Sequence, residues 1–270
     1  MDGGCIVVSG GTYGLGRDIT LTLAARGWPV LAFGLEARQV SSEAENAIPA
    51  LLAEAGARGL PVTAMEADVS DEAQVTGVIE AALAAHGRLH GIVNNAAIGP
   101  LGTVLDTDPG LWDRIMAVNL RGPYLMARAV VPHMARAGGG RIVNVGSGAG
   151  WGKPNMAAYA ASKGGLFALT QALALDHFHD HIRVNAVVPG GGGIAAGMSL
   201  GRVGGDVEKL RAGAQGTAAG RYTTGEDLGR AVAFLMSEDA DVISGTVLDV
   251  GCFARQGSST PLRRSLTREI

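Results

Sequence analysis

Cysteine is scarce: the 270 residues hold two, Cys5 and Cys252, each in or beside an apolar run. Two thiols so placed make neither a disulfide framework nor a metal site, so no metal is expected and a reduced, cytoplasmic setting is the default. Long apolar runs are missing too. None reaches the ~18 residues of a membrane span, and the opening "MDGGCIVVSGG" is acidic, with too short an apolar run for a signal peptide. Charge of neither sign dominates. A formal net charge of -3 gives no strong pull toward nucleic acid or an anionic membrane.

What is present is apolar and glycine-rich. The chain is 47% hydrophobic, 17% charged and 4% aromatic, and its 42 glycines sit at element boundaries rather than in a collagen-like period. Short apolar runs at 5–10, 29–34, 61–67, 89–96, 140–147, 182–189 and 245–250 read as strands. Several are continuous Val/Ile/Leu stretches, as strands buried on both faces require. Amphipathic segments at 15–26, 41–57, 71–86, 111–136, 157–178 and 226–237 read as helices between them. The alternation predicts an α/β chain: a single-domain, Rossmann-type, doubly wound parallel sheet of about seven strands with helices on both faces. Residues 1–252 form this domain, with a substrate lid at about 191–220, and the polar, basic stretch 253–270 is a tail.

Ligands of such a sheet sit beyond the carboxyl ends of the strands. "SGGTYGLG", residues 9–16, follows the first strand and opens the first helix. Gly10, Gly14 and Gly16 permit a tight turn and close backbone approach to a pyrophosphate. The helix beyond supplies N–H groups and a positive dipole end. Thr12, Tyr13 and Leu15 complete the candidate phosphate loop. Farther on, "AAYAASKGG" places Tyr159 and Lys163 one helical turn apart, on one face. Alone, that pair is read first as a solvated surface contact, because so short a motif recurs by chance.

The loop spacing is G-x-x-x-G-x-G, and here the chain resembles the short-chain dehydrogenase/reductases. Further matches follow in order over about residues 5–251: "ADV" at 67–69, "NNAA" at 94–97, "VNLRG" at 118–122, "IVNVGS" at 142–147, "YAASK" at 159–163 and "VNAVVPG" at 184–190. The resemblance implies a hydride-transferring alcohol/carbonyl oxidoreductase of the NAD(P)-dependent kind, with Asn119, Ser147, Tyr159 and Lys163 catalytic. It implies dinucleotide contacts from Asp68, Val69, Asn94, Ala96, Pro189 and Gly190, besides the glycine loop, Tyr159 and Lys163. It assigns Asn119 a bound water that relays protons to Lys163, and it implies a homotetramer, or a homodimer, built on the helix carrying Tyr159.

The chemistry also follows from the residues. Hydride transfer at an alcohol carbon requires a proton to leave or reach the oxygen. A free Tyr titrates near ~10, and a nearby ammonium favours its phenolate. Ser147 can hold the substrate oxygen against developing charge. Lys163 can also bond the nicotinamide ribose, and Asn119 reads equally as a buried amide tying two elements together.

Cofactor choice is less plainly written. An acid at the end of the second strand favours NAD, and an Arg there favours NADP. Here "FGLEARQ" puts Gly34 in the acidic place, with Glu36 and Arg38 beyond. Glu36 tilts the reading from NADP toward NAD, while a solvated loop carboxylate fits as well. "PGGGGIAAGMSLGRVGG" lacks the Thr that the family places after Pro-Gly. Arg202, Arg211 and Arg221 read as scattered surface charges, so the substrate is not specified beyond a small secondary alcohol or ketone. A non-catalytic dinucleotide sensor or scaffold is the rival; it would be expected to lose Ser147, Tyr159 or Lys163. The tail reads as disordered, or as anchored across a subunit boundary by Phe253 and Leu262.

Overall fold

The computed structural model describes residues 4–36, 46–189, 194–195, 197–212 and 217–251. Seven parallel strands are ordered β3-β2-β1-β4-β5-β6-β7. They are β1 (Cys5–Ser9), β2 (Val30–Gly34), β3 (Val62–Glu66), β4 (Leu89–Asn94), β5 (Gly140–Val145), β6 (Ile182–Val188) and β7 (Val247–Asp249). Every strand expected from the sequence is present, shortened at its ends.

The helices are α1 (Gly14–Ala25), α2 (Ala47–Ala57), α3 (Glu72–His86), α4 (Pro109–Met116), α5 (Gly122–Arg136), α6 (Ala157–Asp176), α7 (Gly197–Gly201), α8 (Val207–Ala212) and α9 (Gly225–Met236). They cover both faces because successive strand side chains alternate sides. In β1, Cys5 and Val7 join the core under α3 and α5, while Ile6 and Val8 join the core under α1 and α9. All five β1 residues are buried, whereas edge strand β3 has no fully buried residue and exposes Thr63 and Glu66. No described helix is long and apolar enough to cross a membrane.

One expected element divides. The stretch 111–136 is not one helix: α4 passes through a π-helical turn, Ala117–Arg121, into α5. A π turn inserts one extra residue and is common where a side chain must be re-aimed. The side chain at its centre is Asn119, which is fully buried. The start of the expected helix 41–57, Arg38, Gly190, Cys252 and the tail lie outside the described residues.

At the amino ends of the strands, His90 is buried beside Trp28, with Nε2 2.8 Å from the Met236 carbonyl oxygen. Burial holds its pKa below the ordinary value, the bond to Met236 opposes that shift, and Arg141, Arg88 and Arg183 add to it. The neutral ring is therefore favoured in the folded state. Stability from this group is complete above the unfolded value, ~6.5. It is lost as pH falls through that value toward the lower folded one, because the unfolded chain takes up the proton first. Urea unfolding midpoints should fall between pH 7 and 5.5, and the non-titrating His90→Gln should fall less steeply. Equal slopes for the two proteins would remove His90 as the cause.

Candidate active site

The site is built at the carboxyl ends of β1, β4 and β5. After β1 the chain turns through Gly10 and Gly14, at φ +59° and +56°, a region that suits glycine. A Cβ on Gly10 would lie 2.8 Å from the Ala96 Cα, and one on Gly16 would collide with the Gly10 carbonyl and the Asn95 amide. The turn is pinned from the β4 side. Ser9 Oγ accepts from the backbone N–H groups of Asn95 (3.1 Å) and Ala96 (3.2 Å), and Asn95 Nδ2 donates to the Gly10 carbonyl at 2.8 Å.

Two observations test this turn as a dinucleotide cradle. Tyr13, at the N-cap of α1, gives no side-chain bond to the helix start, so the first-turn N–H groups keep no side-chain cap there. Thr12 is fully buried, and its Oγ1 has no hydrogen-bond partner among the described residues. Glycine turn, uncapped helix start and orphaned hydroxyl together fit a phosphate-bearing ligand. Leu15 packs partly into the core on the α1 and α9 side.

Other expected contacts have local duties. Asp68 Oδ1 accepts from the Ser70 N–H (2.8 Å) and Oγ (2.7 Å), shaping the turn after β3, and Val69 packs on Gly122. Asn94 Nδ2 donates to Asn144 Oδ1 at 2.7 Å, and Asn144 Nδ2 to Thr170 Oγ1 at 2.8 Å, a ladder running from β4 through β5 to α6. Asn94 Oδ1 is buried and unpartnered. Pro189 is half-buried at the end of β6. Glu36 accepts the Ile48 N–H at 2.9 Å, at the start of α2, while its own N–H donates to Glu66 at 3.2 Å. The carboxylate thus caps a helix whose N-cap residue, Asn46, makes no side-chain cap.

The four candidate catalytic residues lie on neighbouring elements. Tyr159 and Lys163 sit in the first turns of α6, 7% and 2% exposed. Lys163 Nζ donates to the Val145 carbonyl at 2.8 Å and lies 5.9 Å from the centre of the Tyr159 ring. Burial brings its pKa down to about 8. Burial also raises the Tyr159 pKa, and a hydrogen bond with the Ser147 side chain and the Arg202 guanidinium oppose that rise. Ser147 caps the short turn Gly148–Trp151, accepting from Ala149 at 3.2 Å.

Asn119 is the tie between elements. Its Oδ1 accepts the Ile98 N–H and its Nδ2 donates to the Ile98 carbonyl, both at 2.8 Å, and Nδ2 also donates to Ser162 Oγ at 3.1 Å. The amide therefore locks the loop after β4 to α6.

Three residues of the site went unread in the sequence. Asn95 fixes the glycine turn and Ser162 receives Asn119. Arg202 is not a free surface charge: its guanidinium lies over the Tyr159 ring, 5.4 Å from the centre. Its spacing of four from Met198, in a segment beyond the sixth strand, was the available signal. Arg221, by contrast, pairs with Asp227, and Arg211 lies over the Tyr222 ring.

Residues 10–252 match the family profile described as enoyl-(acyl carrier protein) reductase. The chain is 37% identical to 2-(S)-hydroxypropyl-CoM dehydrogenase 3 of Xanthobacter autotrophicus (strain ATCC BAA-1158 / Py2), covering 91% of this chain and 94% of the relative. It is 41% identical to the inactive 2-(S)-hydroxypropyl-CoM dehydrogenase 2 of the same organism, over 68% of this chain and 81% of that one. Among solved structures, levodione reductase superimposes with a TM-score of 0.80 at 31% identity, covering 94% of this chain and 98% of the other.

Proposed function

Since the chain belongs to the short-chain dehydrogenase/reductases, we propose that it interconverts a secondary alcohol and its ketone, with Tyr159 as the proton-transferring group. The observation that carries this reading is the convergence of Ser147, Tyr159 and Lys163 at the β5–α6 junction, one strand from the glycine turn. A nicotinamide dinucleotide, when bound, gives the hydride in reduction and takes it in oxidation. The turn from Gly10 to Gly16 would hold its phosphates and Lys163 its ribose.

The protein's own part is the proton. In the reducing direction Tyr159 Oη gives its proton to the carbonyl oxygen as the O–H bond forms, and the phenolate is left. In oxidation the phenolate takes the alcohol proton. Ser147 Oγ donates to the substrate oxygen and stabilises negative charge on it. A raised phenol pKa keeps Tyr159 protonated at neutral pH, the form needed for reduction. Oxidation should accordingly gain rate as pH rises, and reduction should lose it on passing the phenol's pKa.

The rival reading is a non-catalytic dinucleotide-binding protein, and a relative named as inactive gives it weight. The presence of all three side chains together, with Tyr159 and Lys163 buried and Ser147 half-buried beside them, favours the enzyme. Tyr159→Phe should fold, bind dinucleotide and lose turnover by ~10²–10⁴-fold, the usual contribution of general acid–base catalysis. Activity within tenfold of the parent, in NADH- or NADPH-linked assays over a panel of ketones and secondary alcohols, would exclude Tyr159. Lys163→Ala should lose both rate and dinucleotide affinity.

We further propose a preference for NAD. Glu36 lies just beyond β2 and presents a carboxylate that would repel a 2′-phosphate. NAD should bind more tightly than NADP in fluorescence titrations, and Glu36→Ala should narrow the gap. Since Glu36 also caps α2, that variant should melt earlier as well. Tighter binding of NADP by the parent would overturn the preference.

A homotetramer, or a homodimer, built on α6 is the assembly that fits the surface. The face of α6 turned from the sheet exposes Ala161, Ala168, Ala172 and Leu175, and a groove of about 580 Å³ beside it is lined by Met116, Leu120, Tyr124 and Leu169 among others. Leu175 is 79% exposed in the single chain. Sedimentation velocity should give a multimer, and Ala168→Arg should shift it toward monomer. A monomeric parent would refute the assembly.

A further inference from the structure

Tyr159 is nearly closed off from solvent, and the groups that cover it are known. A methyl group placed on Gly99, in the loop after β4, would lie 3.0 Å from the Tyr159 Cδ2 and 2.9 Å from Arg202 Nη2, and would run into Met198 Sδ. Met198 belongs to α7 and Arg202 follows it directly, so one short segment supplies both. Arg202 Nη2 donates to the Gly99 carbonyl at 2.7 Å and meets Met198 Sδ at 3.2 Å, with its guanidinium over the Tyr159 ring. This residue bridges the mouth of the site, from the segment after β6 to the loop after β4.

The bridge is held by weak partners. Among the described residues no carboxylate lies within ion-pair distance of Arg202, whereas Arg128, Arg221 and Arg230 each have one. Its acceptors are one neutral carbonyl, a thioether and a π face. The other cation of the site, Lys163, is buried and committed to the Val145 carbonyl. Of the two described cations set against the Tyr159 ring, Arg202 is the one with N–H groups left to offer.

A substrate oxygen must reach the Tyr159 hydroxyl, which calls for Arg202 to yield its place over the ring. A neutral substrate displaces the guanidinium and returns to it, at most, another neutral acceptor. An oxyanion returns a charge-assisted, two-pronged bond that matches the guanidinium fork. The exchange is favourable for the second kind of substrate and close to neutral for the first.

We propose that Arg202 is a specificity-determining residue, which selects hydroxy or oxo substrates carrying an oxyanion, carboxylate or sulfonate, a few bonds from the reacting carbon. The proposal rests on the oxidoreductase reading given above and adds the class of substrate. In it Arg202 touches the far end of the substrate and takes no part in proton or hydride transfer.

The test uses acetoacetate, 4-oxopentanoate and 5-oxohexanoate, each beside its methyl ester, with the full chain and NADH or NADPH. The parent should prefer at least one acid over its ester, and Arg202→Gln should lower kcat/KM for that acid by about 10- to 100-fold, the worth of one charged hydrogen bond. The loss should fall on KM, weaken with added salt in the parent, be clearly larger for that acid than for its ester and be partly restored by Arg202→Lys. Esters used as well as acids, or an equal loss on both, would overturn the proposal while leaving the oxidoreductase reading intact. Calorimetric titration with the same compounds does not depend on turnover. If no ketone is reduced, the oxidoreductase reading fails, and the proposal still requires an acid to bind the parent more tightly than its ester and to lose that margin in Arg202→Gln. Melting temperatures of the variants separate misfolding from lost recognition.

Discussion

The interaction on which the site depends is the burial of an ammonium. Lys163 is 2% exposed, and its described hydrogen bond runs to the carbonyl of Val145, the last residue of β5. A cation so placed is costly to desolvate, and the pKa near 8 expresses that cost. The bond from Nζ to a strand carbonyl offsets part of it and fixes the first turns of α6 against the carboxyl end of the sheet. Tyr159 lies one turn before Lys163 on the same helix face. Its ring position, and the reach of its hydroxyl toward Ser147, therefore follow from where the lysine is anchored.

The rest of the architecture guards that placement with buried amides. Asn94, Asn144 and Thr170 link β4, β5 and α6 in one ladder, and Thr170 Oγ1 passes the chain to the Leu166 carbonyl inside α6. Asn119 does the same on the far side through Ile98 and Ser162, and Ser162 Oγ returns to the Tyr159 carbonyl. These bonds form only in one register of α6 on the sheet, so apolar packing supplies the adhesion and the polar ladder the alignment. The π turn around Asn119 serves the same end, since a regular helix from 109 to 136 would present a different side chain at that point.

The sequence carried the fold in its periodicity. Continuous Val/Ile runs in β1, β4 and β6 marked strands buried on both faces, and the glycine turn after β1 marked the ligand edge. Ser147, Tyr159 and Lys163 could be placed together because they are fixed relative to a strand end and a helix start, which local pattern reveals, whereas Asn119 was singled out only through the family resemblance. The π turn was read over because "RIMAVNLRGPYLM" keeps its apolar spacing, although Pro123 lacks the N–H that would close a regular turn on the Asn119 carbonyl; the reach of the buried Asn119 amide to Ile98 could not be read from the sequence. Arg202 was not legible for a like reason. Its partners, Gly99 and Tyr159, are brought to it only by the tertiary fold, and on paper it resembles Arg221, which forms an ordinary surface ion pair.

The second strand shows why a positional rule for cofactor choice loses its grip in this chain. Gly34 occupies the place where an acid is expected, and a Cβ there would lie 3.0 Å from Thr12 Oγ1. Thr12 in turn is fully buried beneath the glycine turn, so the space a longer side chain would enter is already taken. An acid at position 34 and a threonine at position 12 compete for one volume. The chain resolves the competition by leaving position 34 bare and carrying its carboxylate two residues on, at Glu36. There it meets the start of α2 instead of the strand end, and its oxygen is engaged by the Ile48 N–H. Replacing Glu36 therefore removes a bond at the start of α2 as well, so any change in ligand binding by such a variant has to be read beside its stability.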